Sequence, residues 1–203
     1  MMSNTMDLPV IGSEPRERAD AARNRRRILT AAQRLFAERG VECVSMDAIA
    51  AEAGVGKGTL FRRFGDRASL ALAVLDESDR ALQDAMISGP PPLGPGAPPR
   101  ERLIAFGHAW LDWLEANHAI LLNAETTSAG AWIRSEPRAV RWLHARTLLA
   151  DANPELDADY AADVALAPLD AQLFCHQRFA RGMQLERLKD AYEELVCRLL
   201  ASP

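Results

Sequence analysis

Cysteine is scarce in this chain. Cys43, Cys175 and Cys197 are the only three in 203 residues, odd in number and far apart. They offer neither a disulfide framework nor a metal-ligand spacing, so a reducing cytosol is the expected setting. Gly-x-Ser-x-Gly, His-Glu-x-x-His and paired Cys-x-x-Cys are all missing. Nothing therefore points to a catalytic residue, a bound metal or a cofactor. The N-terminus lacks the apolar core of a signal peptide, and no run approaches membrane-spanning length. A cytoplasmic protein with no membrane partner is expected. Aromatics reach only 6% and β-branched residues are sparse, while Ala, Leu and Arg abound. That balance favours helix over sheet.

What is present is ordinary in bulk and uneven in distribution. Apolar residues make up 48% and charged residues 26%, enough for a buried core in one or two domains. The formal net charge is −4. Split by position, residues 1–70 carry 12 Lys/Arg against 9 Asp/Glu, or +3, and residues 71–203 carry 12 against 19, or −7. A basic head on an acidic body would orient itself on a polyanion.

The head holds the most informative stretch, residues 45–64. Ser45 is placed to cap a helix in which Met46, Ile49, Ala50 and Ala53 form one apolar face. Gly54 can stop that helix in a left-handed conformation, and Val55 can fill the space between two helices. Leu60 and Phe64, one turn apart, anchor a second helix from beneath and leave Lys57, Thr59, Arg62 and Arg63 facing elsewhere. A helix, a tight turn and a second helix with a basic, hydroxyl-bearing outer surface is the geometry that enters a DNA major groove.

From about Arg23 to about Leu75 the chain resembles the tetracycline-repressor (TetR) family of transcriptional regulators. Many members read Gly-Val-Ser-Lys-Gly-Thr-Leu-Tyr, then a short aromatic- or histidine-containing run, then Phe and a downstream Lys. Here the run is Gly54-Val55-Gly56-Lys57-Gly58-Thr59-Leu60-Phe61-Arg62-Arg63-Phe64, with Arg67 at the lysine position. Gly56, Phe61, Arg63 and Arg67 depart from the pattern. The resemblance implies an all-α fold, with an N-terminal three-helix helix-turn-helix domain joined to a C-terminal helical ligand-binding and dimerisation bundle. It implies a homodimer, paired through the last two helices, that binds a palindromic double-stranded DNA operator and is released by a small-molecule effector. By the same resemblance Lys57, Gly58, Thr59, Phe61, Arg62 and Arg63 reach bases or flanking phosphates. Ser45 and Arg67, at helix N-termini, can hold phosphate.

Along the chain, residues 1–18 read as a flexible arm, 19–66 as the helix-turn-helix domain and 67–203 as the bundle. Ile28, Leu29, Ala32, Leu35 and Phe36 give the first helix, from Ala19 to Arg39, one buried stripe. Arg23, Arg25, Arg26 and Arg27 cluster at its expected start, either as a solvated face or against phosphates. Cationic charge at a helix N-terminus opposes the macrodipole, which favours the second reading. A fourth helix runs from Arg67 to Met86. The Pro/Gly-rich loop 88–99 holds half of the 12 prolines and cannot be helical. Five helices follow, at about 100–117, 119–129, 137–151, 157–181 and 184–201, with Pro168 kinking the fourth. The terminal stripe Leu185, Leu188, Tyr192, Leu195, Val196 and Leu199 either closes its own core or pairs with a second subunit.

Other constellations carry less. Gly54 to Thr59 resembles a phosphate-binding loop, but Ala51 and Gly58 stand where it needs Gly and Ser/Thr, and a helix precedes it. Glu115-Ala116-Asn117-His118 has the Glu-x-x-His spacing of di-iron bundles in only one copy. Neighbouring Cys175 and His176 point about 100° apart on a helix, a poor chelate. The aromatics of the second half read as core singly, and together as a ligand cavity with polar handles. The expected lining is Phe106, Trp110, Trp113, Glu125, Trp132, Trp142, Phe174 and His176, suited to a cationic or aromatic effector. A helical enzyme with a degenerate DNA-binding head and an effector-free architectural protein are the rival readings.

Overall fold

The computed structural model describes the backbone of residues 14–125 and 136–201, and the side chains of 19–121 and 139–201. Among these residues every regular element is helical, as the composition leads one to expect. The first helix, α1 (Glu14–Arg39), begins five residues before the expected Ala19. Residues 14–18, assigned to the flexible arm, are therefore part of it. This also removes the macrodipole argument. Arg23 to Arg27 lie well past the first turn, where the terminal field has decayed.

Next come α2 (Met46–Ala53) and α3 (Lys57–Phe64), on the residues their apolar faces predict. The fourth helix, α4 (Arg67–Ser88), starts on its N-cap Asp66, whose side chain accepts from the Ser69 N–H at 2.7 Å. That bond, with no offsetting cation needed, holds the Asp66 carboxyl below its ordinary range. The Pro/Gly-rich segment then forms turns, with the Gly94 N–H on the Pro90 carbonyl at 3.0 Å.

The bundle departs from expectation in two places. The helices expected at 100–117 and 119–129 are one continuous helix, α5 (Pro99–Glu125). Asn117 and His118 look like a break in sequence. In place, the Asn117 amide donates to the Trp113 carbonyl at 2.8 Å and supports the helix it was expected to end. After α6 (Glu136–Ala152), the helix expected over 157–181 is divided. It consists of α7 (Ala158–Leu166), a 3-10 turn at Ala167–Leu169, α8 (Ala171–Cys175) and a π-type turn at His176–Ala180. Pro168 lacks an N–H and crowds the preceding turn, and Asp170 restarts the helix by accepting from the Gln172 and Leu173 N–H groups, each at 3.0 Å. The last helix, α9 (Leu185–Leu199), buries Leu188, Tyr192 and Val196.

Two apolar cores result. One gathers α1, α2, α3, the first half of α4 and a single residue of α5, Ile120. The other gathers Met86 of α4 with α5 to α9. Helix α4 thus serves both cores, with Leu75 packed against each. Within the second core, α9 lies tightly on α5 at Gly107. A Cβ there would stand 1.8 Å from the Tyr192 ring, so only glycine permits this approach.

Candidate nucleic-acid interface

Each end of α2 is fixed by a local bond. The Ser45 hydroxyl accepts from the Ala48 N–H at 3.1 Å and starts α2. Gly54, at φ 62°, ends it in the left-handed region, and the Val55 N–H returns to the Ala50 carbonyl at 3.0 Å. Leu60 and Phe64 are buried beneath α3, as expected. Gly56 caps α3 without a side chain. The outer surface of α3 therefore carries Lys57, Gly58, Phe61, Arg62 and Arg63 in solvent, with Thr59 half-buried and Phe61 40% exposed.

The cations on this surface are not equivalent. Lys57 Nζ lies 2.7 Å from Asp47 Oδ2 and 5.8 Å from the centre of the Phe61 ring. Arg63 Nη1 donates to the Ala21 carbonyl of α1 at 2.8 Å. Arg67 Nη1 donates to the Glu42 carbonyl at 2.7 Å, while its Nη2 meets Glu42 Oε2 at 2.5 Å. That latch ties the start of α4 to the loop before α2. Arg62, by contrast, has no ion pair or hydrogen bond among the described residues, and is the unencumbered cation of α3. Sequence reasoning missed the restraining groups Asp47, Glu42 and Ala21. Asp47 lies ten residues before Lys57 and Glu42 lies 25 before Arg67, so no local spacing announces either pair.

Beneath the surface, a buried polar chain joins the two cores. Gln33 of α1 donates to Asn117 Oδ1 at 3.1 Å, and Asn117 in turn reaches the Trp113 carbonyl. The Trp113 indole donates to the Ser78 hydroxyl of α4 at 3.0 Å. Trp113 stacks on Trp110, ring centres 4.4 Å apart, and the Trp110 indole donates to the Leu169 carbonyl at 2.9 Å. Over Trp110, at 4.0 Å, sits the guanidinium of Arg141 from α6, paired with Asp79 of α4 at 2.7 Å. Both charges are buried, Asp79 to 8% exposure and Arg141 to 4%. Burial raises the Asp79 pKa; Arg141 and the Gln83 amide, 2.7 Å away, pull it back.

The aromatic residues expected to line a ligand cavity divide into groups. Phe106, Trp110, Trp113 and Phe174 come together in the second core. Trp142 is half-buried beside Arg146, and His176 is exposed on the π-type turn. The Glu125 side chain and the whole of Trp132 lie outside the described residues. A separate cavity of about 90 Å³ opens between α5, the 3-10 turn and α9, lined by Leu111, Leu169, Gln177, Met183 and Tyr192 among others. Glu115 and His118 are structurally engaged: Glu115 pairs with Arg178 at 2.8 Å, and the His118 ring meets the Glu115 carbonyl. Among the described residues no cluster of His, Cys, Asp or Glu is placed to hold a metal ion. No described helix is both long and apolar enough to cross a membrane.

With this geometry in place, comparison identifies what the N-terminal segment is similar to. Residues 28–74 match the sequence profile described as bacterial regulatory proteins, tetR family. The segment that folds as α1 to α4 therefore carries that family's DNA-binding signature. Over 58 residues the chain is also 50% identical to HTH-type transcriptional regulators SAB2452 and SACOL2593 of Staphylococcus aureus. That match covers 29% of this chain and 31% of each relative, less than a third of their length. The fold match is wider. A TetR-like regulator from Rhodococcus sp. RHA1 superposes with TM-score 0.62 at 24% identity, over 89% of this chain and 97% of its own. TetR regulator SCO0520 of Streptomyces coelicolor gives 0.61 at 29% identity, over 84% and 96%. FadR of Bacillus subtilis, solved with stearoyl-CoA, gives 0.62 at 19% identity, over 84% and 96%.

Proposed function

We propose that this chain is a ligand-responsive transcriptional repressor of the TetR family, released from a palindromic operator when a small molecule binds its C-terminal bundle. One observation carries the DNA half of this reading. Helix α3 is anchored from beneath by Leu60 and Phe64 and presents Arg62 outward, unpaired among the described residues. Arginine reads guanine bidentately, so Arg62 is the favoured base reader, with Lys57, Gly58, Thr59 and Phe61 beside it. Arg63, Arg67 and Ser45 act chiefly by holding α3, α4 and α2 in place, with phosphate contact at most a second duty.

The regulatory half rests on α4, which serves both cores, and on the buried chain from Gln33 to Arg141. A ligand that rearranges the Trp110–Trp113 stack would pull on Asp79 and Ser78 of α4 and, through Asn117, on α1. To move the protein from mostly bound to mostly free, the ligand must prefer the DNA-incompetent form by roughly 5 kcal/mol. Dimerisation through α7 to α9 is supported by the exposure there of Tyr160, Leu173 and Phe179. Two reading heads so joined would take half-sites about one helical turn apart. The soluble regulator would act in the cytoplasm, without catalysis of its own.

Arg62→Ala tests the reading. On a duplex that wild type prefers, it should cost about 1–3 kcal/mol and relax preference at one base pair per half-site. Equal weakening on every duplex, with a shallower salt dependence, would assign Arg62 to phosphate instead.

A further inference from the structure

Helix α1 extends well beyond the core it helps to build. The helix begins at Glu14, 14 residues before Ile28, and none of the described side chains between them, Ala19 to Arg27, is buried. At 1.5 Å per residue that is a projection of about 21 Å. Three contacts hold its inner side against α3 and α4. The Ala21 carbonyl accepts from Arg63 of α3 at 2.8 Å, and Arg25 lies 5.6 Å over the Phe64 ring and 3.7 Å from Glu77.

The other side of this segment has a different character. Arg23, Arg26, Arg27 and Thr30 follow helical spacing along one face, and with Ala31, Glu52 and Ala53 they line a concavity of about 430 Å³. Glu52 is occupied by Arg34, and Arg23 by Asp20. Arg26 and Arg27 are exposed and make no ion pair or hydrogen bond among the described residues. Arg27 also sits on the turn that launches α3, because a Cβ at Gly54 would lie 2.5 Å from its Nη2. The turn between α2 and α3, at Gly54, and the last turn of α3, at Arg63, therefore both touch this stretch of α1.

We infer that the face carrying Arg26 and Arg27 is a second DNA-contacting surface, which grips backbone phosphates flanking the groove entered by α3. The inference rests on the DNA-binding reading and adds a site to it. Arg63 is the positioning residue that keeps the segment alongside the duplex. Free guanidinium groups, a hydroxyl and a concave wall suit a phosphate ridge and carry no base-specific pattern.

The test compares two double variants of equal charge change, R26Q/R27Q and R181Q/R187Q, the second pair being exposed and remote from α3 in sequence. Binding of the full chain to a 30-base-pair duplex is measured by fluorescence anisotropy from 50 to 300 mM salt, after circular dichroism shows native helicity. Each phosphate contact contributes about 0.9 to the slope of log K against log salt. R26Q/R27Q should therefore flatten the slope by about two per bound subunit, about four for a dimer, weaken binding tenfold or more near 0.1 M on every duplex alike, and shorten the hydroxyl-radical footprint at its flanks. R181Q/R187Q should leave slope and footprint unchanged. An unaltered slope and footprint in R26Q/R27Q, with wild type binding normally, overturns this surface and leaves α3 as the reader. A wild type that binds no duplex overturns both.

Discussion

Removing Arg141 isolates a buried charge, and the consequence can be worked from its surroundings. Asp79 is 8% exposed and has two described partners, Arg141 at 2.7 Å and the Gln83 amide at 2.7 Å. In Arg141→Met a neutral amide alone remains to solvate a buried carboxylate, and Trp110 loses the guanidinium 4.0 Å above its ring. Breaking a buried pair from one side costs about 3–5 kcal/mol. With a urea dependence of about 2 kcal/mol per molar, the unfolding midpoint should drop by about 2 M at fixed protein concentration. Asp79→Leu with Arg141→Met removes both charges and should recover most of that loss, because two desolvation penalties vanish together. The pH dependence supplies a second check. Without Arg141 the Asp79 pKa, already raised by burial, rises further, while the unfolded carboxyl keeps its ordinary value. Between pH 7 and 5 the folded variant then binds more protons than its unfolded form, so its deficit against wild type should shrink as pH falls. A single variant costing under about 1 kcal/mol, or a double variant no more stable than the single, would refute the reasoning.

Two further expectations concern the same core and a third the exposed apolar residues of the bundle. Gly107→Ala drives a methyl into the Tyr192 ring and should cost about 1–3 kcal/mol in urea unfolding; a change under about 0.5 kcal/mol would mean that α9 can slide freely on α5. His144 packs edge-on to Phe106 at 5.6 Å, and burial, with Arg102 nearby, lowers its pKa to about 4. The unfolded imidazole takes its proton near pH 6.5 and the folded one does not, so stability should fall from pH 6.5 to about 4, by roughly 1–3 kcal/mol. His144→Leu should lose that part of the acid sensitivity in unfolding at pH 5 and 7. Leu173→Asp with Phe179→Asp should convert a dimer to monomers in sedimentation, and an unchanged mass would move the interface elsewhere.

The helix-turn-helix was legible because its determinants are local. Ser45, Gly54, Leu60 and Phe64 act through neighbours within a turn or two, and each sits as its spacing implies. Pro168 likewise announces its break, and the proline-rich loop its lack of helix. The errors arose where a distant partner overrides a local tendency. Asn117 is a weak helix former, yet it is buried and bridges Trp113 to Gln33, which lies 84 positions away. The start of α1 was obscured because none of its described side chains before Ile28, Ala19 to Arg27, is buried, so no apolar stripe marks them as helix. Asp79 and Arg141, 62 residues apart, have no local spacing that marks them as a pair before α4 and α6 bring them together. The cations of α3 were legible as a set, but not the bonds that leave Arg62 free and engage Lys57 and Arg63.

Selection of bound duplexes from a random pool by the purified full chain, at a stated salt concentration and followed by sequencing, tests the central claim most directly. A dimeric regulator reading through α3 should enrich an inverted repeat whose half-sites lie about one helical turn apart. Retention of duplexes with no sequence enriched over the starting pool would contradict sequence-specific repression and leave a protein that grips phosphate alone.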